Sequence, residues 1–439
     1  MPSRTFSLAL YNALLPLGLC CMAPGALIKM RRRGGNWRDF GQRLGRWDNE
    51  RAQALAALPK PDLIWMHAVS VGEVGVARKL IAELLKQQPQ RAIVLTVTTP
   101  TGQRLALEIE QAYPQRAVAL YSPLDLSSVA KRVLDTLKPA QIVLVEAEVW
   151  PNILAQATKR VIPVTLVNAR LSHRSERRYQ QARGFIAPIF GMLSRVCAQE
   201  PEDVDRWAGL GVDRSCITLT GSIKYDPQGS AADPGQVQSL GTILQHLGLV
   251  GRPLLLAAST HPGEEVALAK VYQALRPQHP TLGLLIVPRH YERGSEVVAE
   301  LQALGLKPVQ RSRLDGVSQV ADVLVIDSTG ELKAWQEHAS IVVIGKSFLA
   351  EGGQNPAEAV VAGKPVVFGP HMENFEPLVK LLLDAGGAMQ VADVQALQHG
   401  LQTLLADPTL CAALAQAGQR ALMKHQGATA RTAVLLASI

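Results

Sequence analysis

Short apolar runs rich in Val, Ile and Leu recur along the chain, separated by stretches of helical period. Residues 63–66, 92–98, 117–121, 141–145, 164–167, 196–198 and 217–220 read as strands buried on both faces, because their apolar character is continuous rather than alternating. Helical patterns fill the intervals, for example 74–86 and 102–113. Residues 226–236, DPQGSAADPGQ, break the rhythm; polar and rich in Gly and Pro, they read as a linker. The alternation then restarts at 254–258, 283–287, 323–326, 341–344 and 365–368, and from about residue 394 the period is helical. Strand alternating with helix gives a parallel sheet covered on both faces. The pattern therefore predicts an α/β protein of two doubly wound, Rossmann-like domains facing a cleft, with ligands at the carboxyl ends of the strands.

The stretch 345–358, GKSFLAEGGQNPAE, is the one around which the second domain is organised. A strand runs into it and a helix, 357–362, runs out. Its glycine pair lets backbone approach a ligand closely. Asn355 suits a helix N-cap and Pro356 the first helical position. Free N–H groups and the helix dipole at such a point make an anion site. Glu358 has two readings: a capping-box partner of Asn355, or an acceptor for ribose hydroxyls.

Other strand ends carry polar residues too. Glu73 closes the segment His67–Glu73, HAVSVGE. It has capping-box spacing from Ser70, and it is also a carboxylate where a general base for a hydroxyl would sit. His67 reads as structural. Glu146 and Glu148 follow the next strand end, and two carboxylates that close rarely share a core unpaired. Arg170 follows the 164–167 strand, and Lys224 ends the first domain, either as a hinge lysine or as a cation for negative charge. In the second domain STHPGEE at 259–265, PRHYER at 288–293, DSTGE at 327–331 and GPHMENF at 369–375 are strand-to-helix turns like the loop at 345–358. Arg289 is a fork-shaped donor suited to phosphate. Asp203 and Asp205 have the DxD form of some metal-binding transferases, but fall in an amphipathic helical stretch and are set aside. No metal cluster, P-loop or GxGxxG dinucleotide motif is present in the sequence.

The 439 residues exceed what one core usually holds, and the 47% hydrophobic and 5% aromatic content is that of a globular α/β chain. The net charge of +8 favours an anionic partner, and the lack of an aromatic-interleaved basic stripe argues against nucleic acid. Cys20, Cys21, Cys197, Cys216 and Cys411 are odd in number and lack metal spacing, which suits a reducing compartment. Residues 6–28 carry no charge, which is long enough to cross a bilayer, although Pro16, Gly18, Pro24 and Gly25 should break a helix and favour an interfacial position. Lys29, Arg31, Arg32, Arg33, Arg38, Arg43 and Arg46 follow, which places the rest of the chain on the cytoplasmic side, against anionic headgroups. The expected divisions are 1–46 for this membrane-associated segment, 47–226 for the first domain, 227–236 for the linker and 237–439 for the second domain with the C-terminal helices.

Together HAVSVGE, EAEVWPN, NARLS, TGSIKYD, STHPGEE, VPRHYER, GGQNPAEA and GPHMENF, in order after the apolar N-terminus, resemble the Kdo (3-deoxy-D-manno-octulosonic acid) transferases. The resemblance implies the GT-B glycosyltransferase fold and transfer of Kdo from CMP-Kdo to a lipid A precursor at the cytoplasmic face of the inner membrane. It implies Glu73 as general base and Glu146 with Lys224 as the pair that stabilises the transition state. It assigns Pro288, Arg289, Thr329, Gly330, Glu331, Asn355, Pro356, Ala357 and Glu358 to CMP, and requires no metal or other cofactor. The chain departs from the family pattern at Lys346, where glycine is common, and at Gln354, where histidine is common. The alternatives are a nucleotide-sugar epimerase of the same architecture and a non-catalytic, membrane-attached nucleotide-sugar binder. The epimerase would act on a soluble sugar and need no membrane segment. The binder would need no carboxylate such as Glu73.

Overall fold

Seven strands form the first sheet: β1 (Leu63–Ala68), β2 (Ala92–Val97), β3 (Ala117–Tyr121), β4 (Gln141–Val145), β5 (Val164–Ala169), β6 (Arg195–Ala198) and β7 (Ile217–Leu219). All pair in parallel, in the order β3-β2-β1-β4-β5-β6-β7. The structure is a computed structural model and describes residues 3–32, 40–147, 149–171, 173–226, 232–314 and 320–438. The second sheet is β8 (Leu254–Thr260), β9 (Gly283–Pro288), β10 (Pro308–Gln310), β11 (Val323–Val325), β12 (Ile341–Ile344), β13 (Val366–Phe368) and β14 (Met389–Gln390). It too is parallel, ordered β10-β11-β9-β8-β12-β13-β14. Two doubly wound units result, as the apolar pattern predicts, and they fit the GT-B type that the resemblance implies.

Burial on both faces explains the continuous apolar runs. In β1, Leu63 and Trp65 enter one core with Val94 and Leu144, while Ile64, Met66 and Ala68 enter the other with Val143 and Val145. Each large aliphatic side chain so buried contributes about 1.5–3 kcal/mol. β10 and β14 go unpredicted: these edge strands, PVQ and MQ, hold one aliphatic or Met side chain each and make no apolar run.

The chain divides after Asp226: one unit is Met1–Asp226 with Gly427–Ile439, the other Pro227–Gln426. The last helix, Ala428–Ala437, therefore belongs to the first unit, not with residues 237–426 as expected. Its Ala428, Ala433 and Leu436 are fully buried in the core that holds Val76 and Leu80 of the helix Val71–Gln87. Both of its ends are tied. The Asp226 carboxylate accepts from Gly427 N (2.9 Å) and Thr429 N (2.7 Å). At the other end Gln141 Nε2 donates to the Leu436 carbonyl at 2.9 Å, Arg91 reaches the same carbonyl at 3.4 Å, and Arg195 donates to that of Leu435. An anion at the N-terminus and cations at the C-terminus oppose the helix dipole and satisfy groups the helix cannot.

At the N-terminus a single helix, Arg4–Arg32, runs through Pro16, Gly18, Pro24 and Gly25, where a break was expected. It packs on neighbouring helices, which offsets the ladder bond lost at Pro16. Phe6 lies 6.1 Å from Phe185 between ring centroids, and Asn12 and Asn152 exchange amide bonds of 3.1 and 2.8 Å. Among the described residues no helix is long and apolar enough to cross a membrane. Arg33, Arg38 and part of the 227–236 linker lie outside the described residues.

His67, near the end of β1, is a core residue. It is 2% exposed, its Nδ1 lies 2.9 Å from Thr96 Oγ1 and 3.2 Å from Ser122 Oγ, and its ring meets Trp150 edge-on. Burial pushes its pKa down to about 4, so the folded protein holds it neutral. The unfolded chain binds that proton near pH 6.5, so the stability is present above that pH and is lost as pH falls toward 4.

Two measurements check this architecture. Asp226→Ala leaves two backbone donors unmet and should lower the stability of the first unit by roughly 1–2 kcal/mol in urea unfolding. Between pH 7 and pH 5 the wild type should lose about 2 kcal/mol more stability than His67→Gln, which has no imidazole to protonate. Equal pH slopes would refute the buried neutral histidine.

Candidate active site

In the first sheet the strand order turns back between β1 and β4. The loops after these neighbours leave in opposite directions, and a crevice opens at their carboxyl ends. Glu73 and Glu146 stand on these two loops.

Glu73 lies in the first turn of the helix Val71–Gln87, whose N-cap is Ser70. Glu73 is 7% exposed, and its carboxylate accepts from Val69 N (2.6 Å) and Ser70 Oγ (2.9 Å), while Ser70 Oγ accepts from Glu73 N at 3.3 Å. The capping role is thus realised. These bonds orient the carboxylate at the helix start.

Glu146 follows β4 in the left-handed conformation, φ 64°, and Asn168 near the end of adjacent β5 has φ 53°. Such backbone costs about 1–2 kcal/mol per residue outside glycine and gathers where function over-determines it. Burial raises the pKa of Glu146, while Lys224 and then Arg170 pull it back down. Lys224 comes from the loop after β7, yet a Cβ placed on Gly72 would stand 4.0 Å from Lys224 Nζ and 3.8 Å from Ser70 Oγ. The ammonium therefore lies over the N-terminus of the helix that bears Glu73. A cation there is opposed by the helix dipole, and neighbouring carboxylates offset this. Glu73, Glu146 and Lys224, far apart in sequence, are brought together; Arg170 is exposed beside them. Glu148 and Ser172 lie outside the described residues.

Sequence reasoning missed what orders this cluster. Asn168 is fully buried, and its Oδ1 accepts from Ile223 N at 2.9 Å, fixing the start of the turn that carries Lys224. Lys79 holds the end of the same turn through carbonyls. Neither has a sequence signal, since each acts on a loop remote in the chain. Asp203 and Asp205 point apart: Asp203 is buried with Leu171 N and Arg206, whereas Asp205 pairs with Arg214 on the surface.

The second sheet turns back between β8 and β12. Ser259 (φ 57°) and Lys346 (φ 54°) are left-handed at these strand ends, and Lys346 corresponds in sheet order to Glu146. All five predicted strand-to-helix turns reach one edge, but the loop at 345–358 is not an open anion nest. The Glu264 carboxylate occupies it, accepting from Lys346 N (2.6 Å), Ser347 N (3.0 Å), Phe348 N (3.2 Å) and His261 N (3.0 Å). The helix that follows, Ala357–Val361, has five residues and little dipole to offer. The glycine pair serves another loop of the same unit. A Cβ on Gly352 would meet Asn374 Nδ2 at 2.4 Å and one on Gly353 would meet Met372 Sδ at 2.5 Å. Gly352 N also donates to Glu373 at 2.6 Å. GGQNPAEA and GPHMENF thus form one interlocked assembly.

Asn355 is exposed, and its Oδ1 accepts from Ala357 N at 3.1 Å, a tight side-chain turn rather than the expected N-cap; the cap position is Pro356, which is buried. Glu358 is half-buried and stands 4.0 Å from Lys333 Nζ instead of closing a capping box. Pro288 ends β9, and Arg289 anchors by its N–H to the Thr260 carbonyl (2.9 Å) with its side chain exposed. Thr329 and Gly330 are exposed. Glu331 is committed to Ser328 Oγ (2.5 Å), Arg311 (3.1 Å) and Trp335 Nε1 (3.2 Å). Lys346 Nζ would lie 3.4 Å from a Cβ on Gly352, and Gln354 reaches His261 Nε2 at 3.3 Å.

Comparison with known proteins bears on the family. Residues 38–227 match the family model described as 3-deoxy-D-manno-octulosonic-acid transferase (kdotransferase). The chain is 32% identical to the 3-deoxy-D-manno-octulosonic acid transferase of Haemophilus influenzae, over 99% of this chain and 98% of that one. It is 36% identical to the Bordetella pertussis protein of the same name, over 92% of each. Among solved structures, UDP-GlcNAc 2-epimerase from Neisseria meningitidis bound to UDP-GlcNAc aligns with TM-score 0.51 over 86% of this chain and 99% of that one, and at 15% identity it shares the fold alone. The strand order, the ordered motifs and the near full-length identity converge: this chain belongs to the 3-deoxy-D-manno-octulosonic acid transferase family.

Proposed function

We propose that this enzyme transfers Kdo from CMP-Kdo to a lipid A precursor with inversion, Glu73 acting as general base. The observation that carries the reading is the cluster at the β1–β4 turning point: an oriented carboxylate at Glu73, a left-handed Glu146, and the Lys224 ammonium above Gly72. In a single displacement, an acceptor hydroxyl gives its proton to Glu73 as its oxygen bonds to the anomeric carbon of Kdo. The bond from that carbon to the phosphate oxygen breaks, and CMP leaves with the electron pair. Lys224, kept company by Glu146, stabilises charge developing in the transition state. In the second unit Arg289 is the exposed fork for the CMP phosphate. Thr329, Gly330 and the segment 355–358 line the nucleotide, with Glu358 accepting ribose hydroxyls, no capping bond competing for it. The scheme draws on fixed protein charges and calls on no metal or organic cofactor.

The same proposal places the enzyme on the cytoplasmic side of the inner membrane, its N-terminal helix lying in the interface. Phe6 (54% exposed), Leu14 (56%), Leu17 (65%) and Phe185 (41%) offer an apolar surface, and Arg177, Arg178 and Arg183 are exposed on the helices beside Phe185. Apolar area plus cations suits an anionic lipid surface.

Glu73→Gln separates base from cap, because glutamine preserves capping at this position but takes no proton. Transfer, followed by mass spectrometry of the lipid product, should fall by about 10²–10⁴-fold. CMP binding by calorimetry should stay within about twofold. Retained transfer, or CMP binding lost together with it, would falsify the role.

A further inference from the structure

We propose that Lys79 is a positioning residue that makes the candidate base and the candidate cation parts of one rigid body. Lys79 lies on the helix Val71–Gln87, whose first turn carries Glu73. Its ammonium donates to the carbonyls of Ile223 (3.2 Å), Lys224 (3.3 Å) and Asp226 (3.4 Å). One side chain thus gathers three carbonyls from four successive residues, those that present Lys224.

The turn's own backbone bonds, Tyr225 N to Ser222 O at 3.3 Å and Asp226 N to Ile223 O at 3.4 Å, are at the long limit, and Ile223 anchors it in the core. Polar ties from other elements add to this: Asn168 at its start, Lys79 along its length, and Gly427 N and Thr429 N on the Asp226 carboxylate. Of these tethers only Lys79 stands on the helix that bears Glu73. Lysine suits the task because a compact ammonium offers three donors and no acceptor. Lys79 lies six positions after Glu73, about 9 Å along the helix, so a shift of the turn against this helix would move Lys224 relative to the Glu73 carboxylate. Misplacement by about 1 Å can cost about a hundredfold in rate.

The inference rests on the proposed transfer reaction, and two readouts keep the two apart. By hydrogen exchange with mass spectrometry, which needs no turnover, Lys79→Met should speed exchange in residues 221–226 about tenfold and leave 80–87 unchanged. In steady-state Kdo transfer the same variant should lose about ten- to a hundredfold in kcat. KM for CMP-Kdo should stay within about twofold, Lys79→Arg should recover most of the loss, and Lys79→Gln, with fewer donors, should fall between. In a Lys224→Met background, Lys79→Met should cost nothing further, because a residue that acts through Lys224 has nothing left to position. The proposal is overturned by unchanged exchange at 221–226, by an equal loss in the Lys224→Met background, or by unfolding of both Lys79→Met and Lys79→Gln. A wild-type enzyme that forms no Kdo-lipid product would overturn the proposed reaction instead, while the exchange experiment would still decide the tether.

Discussion

A parallel sheet delivers the carboxyl end of every strand to the same edge. Where the strand order turns back, two neighbouring loops part and leave room for a ligand. The arrangement of candidate residues depends on this constraint in both units. In the first, β1 and β4 bring Glu73 and Glu146 to one crevice; in the second, β8 and β12 do the same for the loops holding His261 and Lys346. The backbone bears a cost at both places. Glu146, Asn168, Ser259 and Lys346 all adopt the left-handed region without being glycine. Glu146 after β4 and Lys346 after β12 hold the same topological place in two separate sheets, and strain there is what a shared task at strand ends would leave behind.

Carboxylates do two different jobs in this molecule. Some are clamps. Glu264 takes four backbone N–H groups and fixes the loop after β12, while Asp226 receives the returning C-terminal helix. Asp125, buried, accepts from Asn152 N and Ile153 N at the start of the helix Pro151–Lys159. Burial pushes Asp125 up to about 6, although those two bonds and Tyr11 oppose it. Others stand beside cations at strand ends. Glu73 accepts from Val69 N and Ser70 Oγ at the start of its helix, and Glu146 faces Lys224, Arg170 and the Asn168 side chain. Because Glu73 caps a helix as well, its position is fixed by the same bonds that would orient it toward a hydroxyl.

The φ of 54° at Lys346 is one a glycine takes freely, which would explain the glycine that the resemblance led us to expect there. Here the lysine accepts the strain and lays its ammonium near Gly352. The two glycines of the same loop are needed for a different reason: they let it press against the 371–375 turn, so two motifs separate in sequence act as one structural piece.

The sequence by itself determined the element types and most of their positions. The strands of the first sheet, and β8, β9, β11, β12 and β13 of the second, were legible because burial on both faces writes a continuous apolar run; the edge strand β7 is the exception, with Thr218 and Leu219 exposed rather than buried as expected. Glu73, Glu146 and Arg289 were legible as polar residues at strand ends, which follows from local pattern alone. The tertiary structure decided the rest. It gave the last helix to the first unit, filled the supposed anion nest with Glu264, laid Lys224 over Gly72, and assigned Lys79 and Asn168 to the turn behind it. Periodicity and capping are interactions between residues a few positions apart, so a linear pattern records them. The partner of a lysine or carboxylate at a sheet edge is set by strand order, which brings distant segments together and leaves no local trace in the chain.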